Sequence, residues 1–453
     1  MTGNGKSSIL DCNRFQIEHA GDLSPQILEL VKRRQNVLGS SYRLFYRKPL
    51  NLVRGEREYM WDSDGTMYLD MYNNIPSMGH SHPLVTKAVS EQMQKINTHT
   101  RYLHENIIEY SEKLLERMPK EIDRAMFMCS GSEANDLALR ICMTYTGGSG
   151  ILVSQEAYHG NTQLVSSISP SIGGEQKLLD SVRLVPTPDF YRKGMSEDEF
   201  TQWYCGEIQK QIDDMKSHGI KLACFIADSI FSSDGVQPNP KGFLKAAVDV
   251  VHKNGGLFIA DEVQPGFCRT GDAFWGFARH GIIPDLVTMG KPMANGIPCS
   301  GLCGKHEILE AFSSKFPYFN TFAGNPVSMA AALAVLEIIE QEQILAHTKK
   351  VGAELLSALE EVRKKHAGCV GDVRGAGLFL GFELVTDTQE KNPDPQKTLA
   401  LIDLLCEKRI LSSNAGAYGN ILKIRPPLAF QSKDIDWFAT ALDESLAQLE
   451  QQQ

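Results

Sequence analysis

Hydrophobic and polar positions follow different patterns in different parts of the chain, and the pattern in its central part is the most informative. From about residue 84, short apolar runs alternate with stretches whose apolar positions have helical spacing. Apolar runs of roughly four to eight residues fit buried strands, so this alternation predicts βαβ units and a largely parallel sheet. The predicted strands have the sequences AMFMCS, GILVSQ, RLVPTP, ACFIADSI, GLFIADE and DLVTMG.

The two ends of the chain have other patterns. Residues 24–38 have helical spacing, and the turn cluster DSDG at 62–65, between two apolar runs, predicts a β-hairpin. One long helix is predicted to begin near Pro326. Strands are expected at 373–384 and 420–426, and a closing amphipathic helix at 432–448.

These patterns together predict an α/β protein in three parts. Residues 1–83 form an N-terminal segment with a helix and a small sheet, and residues 84–330 form a large domain with a mostly parallel sheet between helices. Residues 331–453 form a smaller α+β domain, and the main boundary is expected near 325–345.

Composition excludes several classes of protein. The chain has 453 residues, 42% of them hydrophobic and 22% charged, which is typical of a folded globular protein. A net charge of −9 argues against nucleic acid or an anionic membrane as the main partner. The ten cysteines have no paired spacing, which predicts free thiols in a reducing compartment.

The cellular location and the lack of a metal site are both predicted from features that the sequence does not contain. Residues 1–20 contain no apolar leader, and no apolar run reaches the length of a membrane span, so a cytoplasmic protein is expected. His80 and His82 have an H-x-H spacing without a third ligand in view, so no metal site is predicted.

The first segment with candidate chemistry is CSGSEAN at 129–135, which follows a predicted strand and opens a helix. Gly131 and Ser132 therefore lie where unpaired backbone N–H groups and the positive end of the helix dipole can bind a phosphate. The alternative is that a serine simply caps the helix.

The second segment is GLFIADEVQ, a short apolar strand that ends in Asp261 and Glu262. Ligands bind at this edge of open α/β sheets, and a carboxylate near the interior needs a cationic partner. That partner is a metal or a protonated pyridine nitrogen, unless the carboxylates only cap a helix or form a salt bridge.

The third segment is TMGKP, in which Lys291 ends an apolar strand between a glycine and a proline. An amine held there can have a lowered pKa and act as a nucleophile toward carbonyls, whereas the alternative is a surface lysine in a turn. A phosphate cradle, a carboxylate for a ring nitrogen and an amine for an aldehyde together match the three handles of pyridoxal 5′-phosphate (PLP).

A family resemblance supports this interpretation. The motifs SGSEAND, AYHG, IADEVQPGFCRTG, TMGKP and FNTFAGNP, in this order, resemble the class III, fold-type I PLP-dependent aminotransferases from about residue 45 to 445. The step of 30 residues from Asp261 to Lys291 is typical of the family. GHSHP and RYLHENIIEYSEKL are most similar to the branch of alanine–glyoxylate aminotransferase type two and the ethanolamine-phosphate and hydroxylysine-phosphate phospholyases.

The resemblance implies roles in holding the cofactor. Lys291 would bind the PLP aldehyde as a Schiff base and shuttle the proton, and Asp261 would pair with the ring nitrogen. Gln264 would lie near the phenolic oxygen of the ring. Val263 and Tyr158 would cover the two ring faces.

The remaining implied roles concern the phosphate, the partner subunit and the substrate. Gly131 and Ser132 would bind the phosphate through their amides, and Thr321 would reach the phosphate in the partner subunit, so a homodimer or a higher homo-oligomer is expected. Arg425 would bind a substrate α-carboxylate. Tyr72, Asn73, Asn74 and Trp275 are candidates for shaping specificity at the entrance.

One segment departs from the family pattern. Many members carry E-P-x-Q-G-E before the aspartate-bearing strand, and its second glutamate can pair with the substrate-binding arginine. Here the segment is DSIFSSDG at 228–235, so Ser233 stands in the place of that glutamate. Arg425 is therefore expected to stay available, unless Asp234 substitutes for the glutamate.

Three functions follow from the sequence. The favoured one is an aminotransferase that moves an amino group from a small amine or amino acid to a keto acid. The same apparatus could instead eliminate phosphate and ammonia from a small phosphoamine, but the resemblance to phospholyases would imply a lysine in place of Arg425. The third is a PLP-binding protein without turnover or a nucleotide module, although the run at 147–150 lacks a phosphate-loop ending and predicts a helix-ending turn.

Overall fold

The computed structural model describes residues 8–451. The helices are α1 (Pro25–Val37), α2 (Pro83–Met93), α3 (Glu105–Leu115), α4 (Gly131–Thr146), α5 (Gln163–Ser166), α6 (Phe190–Lys193), α7 (Glu197–Ser217), α8 (Phe243–Lys253), α9 (His306–Ser313), α10 (Pro326–Gln341), α11 (Ile344–Lys365), α12 (Pro395–Glu407) and α13 (Ile435–Gln451). Short 3₁₀ helices occur at Ile9–Asp11, Ile17–Asp22, Pro170–Ile172, Gly276–His280 and Ser432–Asp434.

Among residues 8–451, the strands form three sheets. They are β1 (Leu52–Glu56), β2 (Tyr59–Asp62), β3 (Met67–Asp70), β4 (Arg124–Met128), β5 (Gly150–Ser154), β6 (Val182–Val185), β7 (Leu222–Ala227), β8 (Leu257–Asp261), β9 (Leu286–Met289), β10 (Ser300–Gly304), β11 (Val370–Ala376), β12 (Phe379–Asp387), β13 (Asn392–Pro393), β14 (Ile410–Leu411), β15 (Ser413–Ala415) and β16 (Ile421–Ile424).

The largest sheet has seven strands in the order β4-β10-β9-β8-β7-β5-β6, and it confirms the prediction of an α/β fold. Strands β5 to β9 pair in parallel, while β10 runs antiparallel to both β4 and β9. The carboxyl ends of β4, β7, β8 and β9 therefore lie at one edge. Strand β10 was not predicted, because its sequence SGLCG lacks the β-branched and aromatic residues that indicate strands.

The two smaller sheets join distant parts of the chain. The hairpin of β2 and β3 confirms the predicted turn at 62–65, and β14 pairs in parallel with β3. The other sheet has the order β11-β12-β16-β15, with β13 beside β12. The final part of the chain therefore supplies a strand to the N-terminal sheet as well as a sheet of its own.

Two element predictions need correction. The single long helix from Pro326 is two helices, α10 and α11, because Gln343 between them has a left-handed backbone with φ of 49°. The predicted strand at 373–384 is a pair of antiparallel strands that turn at Gly377. Its φ is 55° and an added Cβ would lie 2.5 Å from the Arg269 carbonyl oxygen, so this tight turn requires glycine.

Helix α4 illustrates how the core forms around the sheet. Its apolar stripe is buried from Ala134 through Leu137, Ala138 and Ile141 to Cys142, whereas Tyr145, which continues the stripe, is 44% exposed. Gly147 ends the helix in the left-handed conformation, as predicted.

All ten cysteines are free, as expected. Over residues 8–451, no helix has the length and apolar character needed to span a membrane. The prediction that residues 1–20 contain no apolar leader falls partly on residues 1–7, which lie outside the described range.

The buried carboxyl group of Glu58 predicts a pH-dependent contribution to stability. Burial raises the pKa of Glu58, and Arg57 and Lys433 face its oxygens at 3.4 and 3.9 Å while Asp434 lies beside it. A carboxyl group with a raised pKa in the folded state stabilises the fold at low pH, and that contribution is lost as pH rises through the folded pKa. Replacing Glu58 by glutamine should therefore raise the thermal unfolding midpoint at about pH 8.5 but not at about pH 5.

The control for this prediction is Glu56→Gln. Glu56 ends β1, two residues before Glu58, and its side chain is 57% exposed. This substitution should change the thermal unfolding midpoint by the same small amount at about pH 5 and at about pH 8.5. A Glu58→Gln midpoint that follows the wild-type midpoint across the range would contradict the argument.

Candidate active site

A cavity of about 290 Å³ opens at the carboxyl edge of the large sheet, where β4, β7, β8 and β9 end. Ligands bind at this position in open α/β folds. Seven of the nine predicted site residues line it, and Thr321 and Arg425 do not. The seven are Gly131, Ser132, Tyr158, Asp261, Val263, Gln264 and Lys291.

The start of α4, where the phosphate cradle is predicted, borders the cavity. Ser130 caps the helix, since its hydroxyl accepts the Glu133 amide at 3.3 Å, and the Glu133 carboxylate accepts the Ser130 amide at 2.8 Å. The amides of Gly131 and Ser132 have no acceptor among the described residues, so the serine cap and the free amides occur together. A Cβ on Gly131 would lie 2.9 Å from Val263, so a larger residue would fill the cradle.

Asp261 is held at the end of β8 by three donors. Its Oδ2 accepts Asn135 Nδ2 at 2.9 Å and contacts His159 Nδ1 at 2.7 Å, and its Oδ1 accepts the Val263 amide at 3.1 Å. Asn135 is itself fixed, because its Oδ1 accepts the Thr288 hydroxyl at 2.6 Å. The carboxylate is 5% exposed and lines the cavity, so it can pair with a cationic ring nitrogen there.

Lys291 follows β9 and has no hydrogen bond or ion pair within the described part of the chain. Burial and the charge of Arg425 lower the pKa of its amine to about 8, although Asp261 and Asp228 act in the opposite direction. A lysine with a lowered pKa and no partner is a nucleophile toward an aldehyde. The surface-lysine alternative is wrong, since Lys291 is partly buried and lines the cavity.

Val263, Tyr158 and Gln264 line the space between these groups. Val263 is buried, and Tyr158 is half-buried with its pKa raised by burial. The Gln264 amide is engaged at both ends: Nε2 donates to the Ser232 hydroxyl at 2.7 Å, and Oε1 accepts from Arg425 Nη1. Gln264 therefore connects the cavity to the arginine.

Arg425 comes from a different sheet, just after β16. Its Nε donates to the Tyr72 carbonyl oxygen at 3.0 Å, and its guanidinium lies 4.9 Å from the Tyr72 ring and 5.5 Å from the Phe379 ring. No carboxylate pairs with it in the described residues. Its charge is therefore buried without a counter-ion.

The open question about Asp234 is settled by its contacts. Asp234 accepts the Ser154 hydroxyl at 2.8 Å, the Thr187 hydroxyl at 2.9 Å and the Glu156 amide at 3.3 Å. Burial raises its pKa to about 7. Asp234 therefore faces Ser154 and Thr187 and does not replace the missing glutamate beside Arg425.

The other predicted residues have varied positions. Thr321 is exposed and does not line the cavity; it lies in the loop between α9 and α10. Asn73 bonds to Asp70, whereas Trp275 is 2% exposed in an aromatic cluster and does not border the cavity. His80 and His82 contact separate carboxylates, those of Asp70 and Glu342.

Three residues near the site were missed. Asn135 holds Asp261, and its signal was an amide within the otherwise apolar, buried part of α4. Lys423 lies two residues before Arg425 along the strand and is 5% exposed without a hydrogen bond or ion pair in the described chain. Ser232 binds Gln264, and no pattern in the sequence marks that contact.

These residues fit PLP. Free amides at a helix start suit the phosphate, the Asp261 carboxylate suits the ring nitrogen, and the unpaired Lys291 amine suits the aldehyde. The fit also rests on shape, because the cavity needs glycine at 131 to keep the cradle open.

Comparisons with known proteins agree with this arrangement. The family model described as aminotransferase class-III matches residues 45–446. An alanine–glyoxylate aminotransferase 2-like protein of Drosophila melanogaster is 38% identical, over 94% of this chain and 88% of that protein. An ethanolamine-phosphate phospho-lyase homolog of Caenorhabditis elegans is 36% identical, over 92% and 93%.

A solved structure resembles most of the chain. A phospholyase from Arthrobacter in complex with phosphoethanolamine has a TM-score of 0.89 and 39% identity, and the match covers 92% of this chain and 99% of that one. The two proteins therefore share their fold over that part of the chain.

The lowered pKa of Lys291 predicts how the cofactor-free protein captures PLP. Covalent capture requires a neutral amine, and with a pKa of about 8 the neutral fraction falls as pH drops below that value. The capture rate, followed by absorbance, should therefore fall about tenfold per pH unit in the acid range. Lys291→Ala should show no covalent capture, and a flat rate between about pH 6 and 8 would contradict the assigned pKa.

Proposed function

Because the chain belongs to the class III aminotransferase family, we propose that it transfers amino groups from small amines or amino acids to keto acids. The chain is an enzyme of this family and has its fold-type I architecture.

PLP is the cofactor of this family and of this chain, and when bound it accepts the electrons released from the bond broken at the substrate carbon. The amides of Gly131 and Ser132 bind the phosphate at the start of α4. Asp261 keeps the ring nitrogen protonated, which requires the carboxylate to remain charged and oriented. The donors Asn135 and His159 serve both needs, because hydrogen bonds to a carboxylate favour its ionised form.

Lys291 is the residue that moves the proton. Its amine would hold the aldehyde of the bound cofactor at rest and, when displaced by the incoming amine, would take the proton from the substrate carbon and deliver it to the cofactor side. Water would then release the keto acid and leave the nitrogen with the cofactor, from which a second keto acid would take it by the reverse steps. The absence of any other partner for Lys291 Nζ in the described chain leaves it free for both tasks.

The observation that carries the proposal is the unpaired charge of Arg425. A buried guanidinium without a carboxylate partner is costly, and a substrate carboxylate can supply the missing charge. Both amino acids and keto acids carry that group, so the same arginine serves the two halves of a transamination. Ser233 and Asp234 leave this charge unscreened.

A homodimer is part of the proposal. Thr321 is exposed, and Phe322 beside it is 72% exposed although it is a large apolar residue. Two further aromatic side chains are also exposed, that of Phe319 by 41% and that of Tyr102 by 66%. Such side chains are typical of an interface, and there Thr321 would reach the phosphate bound by the partner subunit.

A second candidate is elimination of phosphate and ammonia from a small phosphoamine, and Lys423 favours it. Lys423 and Arg425 lie 5.6 and 5.5 Å from the Phe379 ring, so two cations meet beside one aromatic side chain. Burial and Arg425 lower the pKa of Lys423 to about 7. A doubly charged phosphate would compensate both cations, and two of the similar proteins are named phospholyases.

The two reactions differ in what they need and release. Holoenzyme is incubated with amino acids and with phosphoethanolamine, with and without pyruvate or 2-oxoglutarate, while new amino acid, ammonia and phosphate are measured. Transamination predicts new amino acid only when a keto acid is present, and no sustained ammonia release. Continuous release of ammonia and phosphate from phosphoethanolamine without a keto acid would overturn the transaminase proposal in favour of the lyase.

A further inference from the structure

We infer that Gln264, anchored by Ser232, is the positioning residue that presents Arg425 to the anionic group of the substrate. The inference rests on the proposed function in one respect, namely that Arg425 binds a substrate anion. It assigns to Gln264 a second task beside its place at the cofactor ring, and it assigns a role to Ser232.

The hydrogen bonds of Gln264 define the arrangement. Its Nε2 donates to the Ser232 hydroxyl at 2.7 Å, and its Oε1 accepts from Arg425 Nη1. An amide whose donor end is fixed by a buried hydroxyl must point its acceptor end in one direction. Ser232 is 0% exposed, so water does not compete for its hydroxyl.

Ser232 is itself held by a constrained loop after β7. Its amide donates to Asp228 at 3.1 Å, and the neighbouring Phe231 and Val236 have left-handed backbones with φ of 45° and 59°. Arg374 donates to the carbonyl oxygens of Gly235 and Val236, both at 2.8 Å. One side chain from the other sheet, that of Arg374, therefore holds the loop, and the loop holds Ser232.

The charge state of Arg425 is the functional consequence. The Tyr72 carbonyl and the Gln264 amide occupy Nε and Nη1, while Nη2 has no partner within the described residues. Both occupying groups are neutral, so the guanidinium is oriented without being neutralised. A carboxylate at the same place would orient the arginine but would also compete with the substrate anion.

The direct test measures anion binding by holoenzyme. The probes are propionate and inorganic phosphate, which cannot react, and binding is followed by the absorbance of the bound cofactor. Ser232→Ala removes the acceptor for Gln264 and should weaken binding of both probes roughly threefold to tenfold, the range expected for one hydrogen bond. The cofactor spectrum without probe and the kcat at saturating substrate should stay near those of the wild type.

The matched control is Ser233→Ala, which removes the adjacent hydroxyl. That hydroxyl has no hydrogen bond in the described structure, so probe affinity should not change. Unchanged affinity in Ser232→Ala, or an equal loss in both alanine variants, would overturn the inference.

A second variant keeps the inference testable if Ser232→Ala fails to fold. Gln264→Glu has the same shape but places a carboxylate against Arg425, so it should weaken binding of both probes at least about tenfold. Wild-type affinity in this variant would also overturn the inference. The two proposals can fail separately. If the variants differ in anion affinity as expected but the wild-type enzyme shows no turnover that depends on a keto acid, the proposed reaction is refuted and the role of Gln264 is retained.

Discussion

The site depends on one constraint, which is that the Asp261 carboxylate is held almost out of contact with water at the end of a buried strand. A charge in that position is unfavourable unless donors and a cation compensate it. Asn135 and His159 supply donors, and in the proposed function the ring nitrogen of PLP would supply the positive charge. The position of Lys291, one strand away, places the amine on the same edge of the sheet.

The other half of the site comes from a different sheet, and this division would separate the proposed cofactor binding from the proposed substrate binding. The large sheet carries the groups proposed for the cofactor, whereas Lys423 lies in β16 of the smaller antiparallel sheet and Arg425 just after it. Contact between the halves passes through Gln264 and the loop after β7, which Arg374 holds from the smaller sheet. Neutral links thus orient the arginine while its charge remains available.

Sequence patterns predicted the parts of the fold that depend on local periodicity. The parallel strands, helix α4 with its cap, and the hairpin at 62–65 each have a signal within a few residues. Strand β10 and the break at Gln343 have no such signal, because one depends on pairing with β4 and β9 and the other on packing. Motif order predicted the cavity residues, but the contacts of Asp234 and Lys423 depend on loops and sheets that meet only in the folded chain.

In the proposed site, Lys291 holds PLP covalently at the carboxyl edge of the sheet, opposite Asp261. This bond can be detected by borohydride reduction of the holoenzyme, followed by proteolysis and mass spectrometry of the peptides. We expect a single reduced pyridoxyl label on the peptide that contains Lys291, and none in the Lys291→Ala variant. A label on another lysine, or a reduced holoenzyme that carries no label, would contradict it.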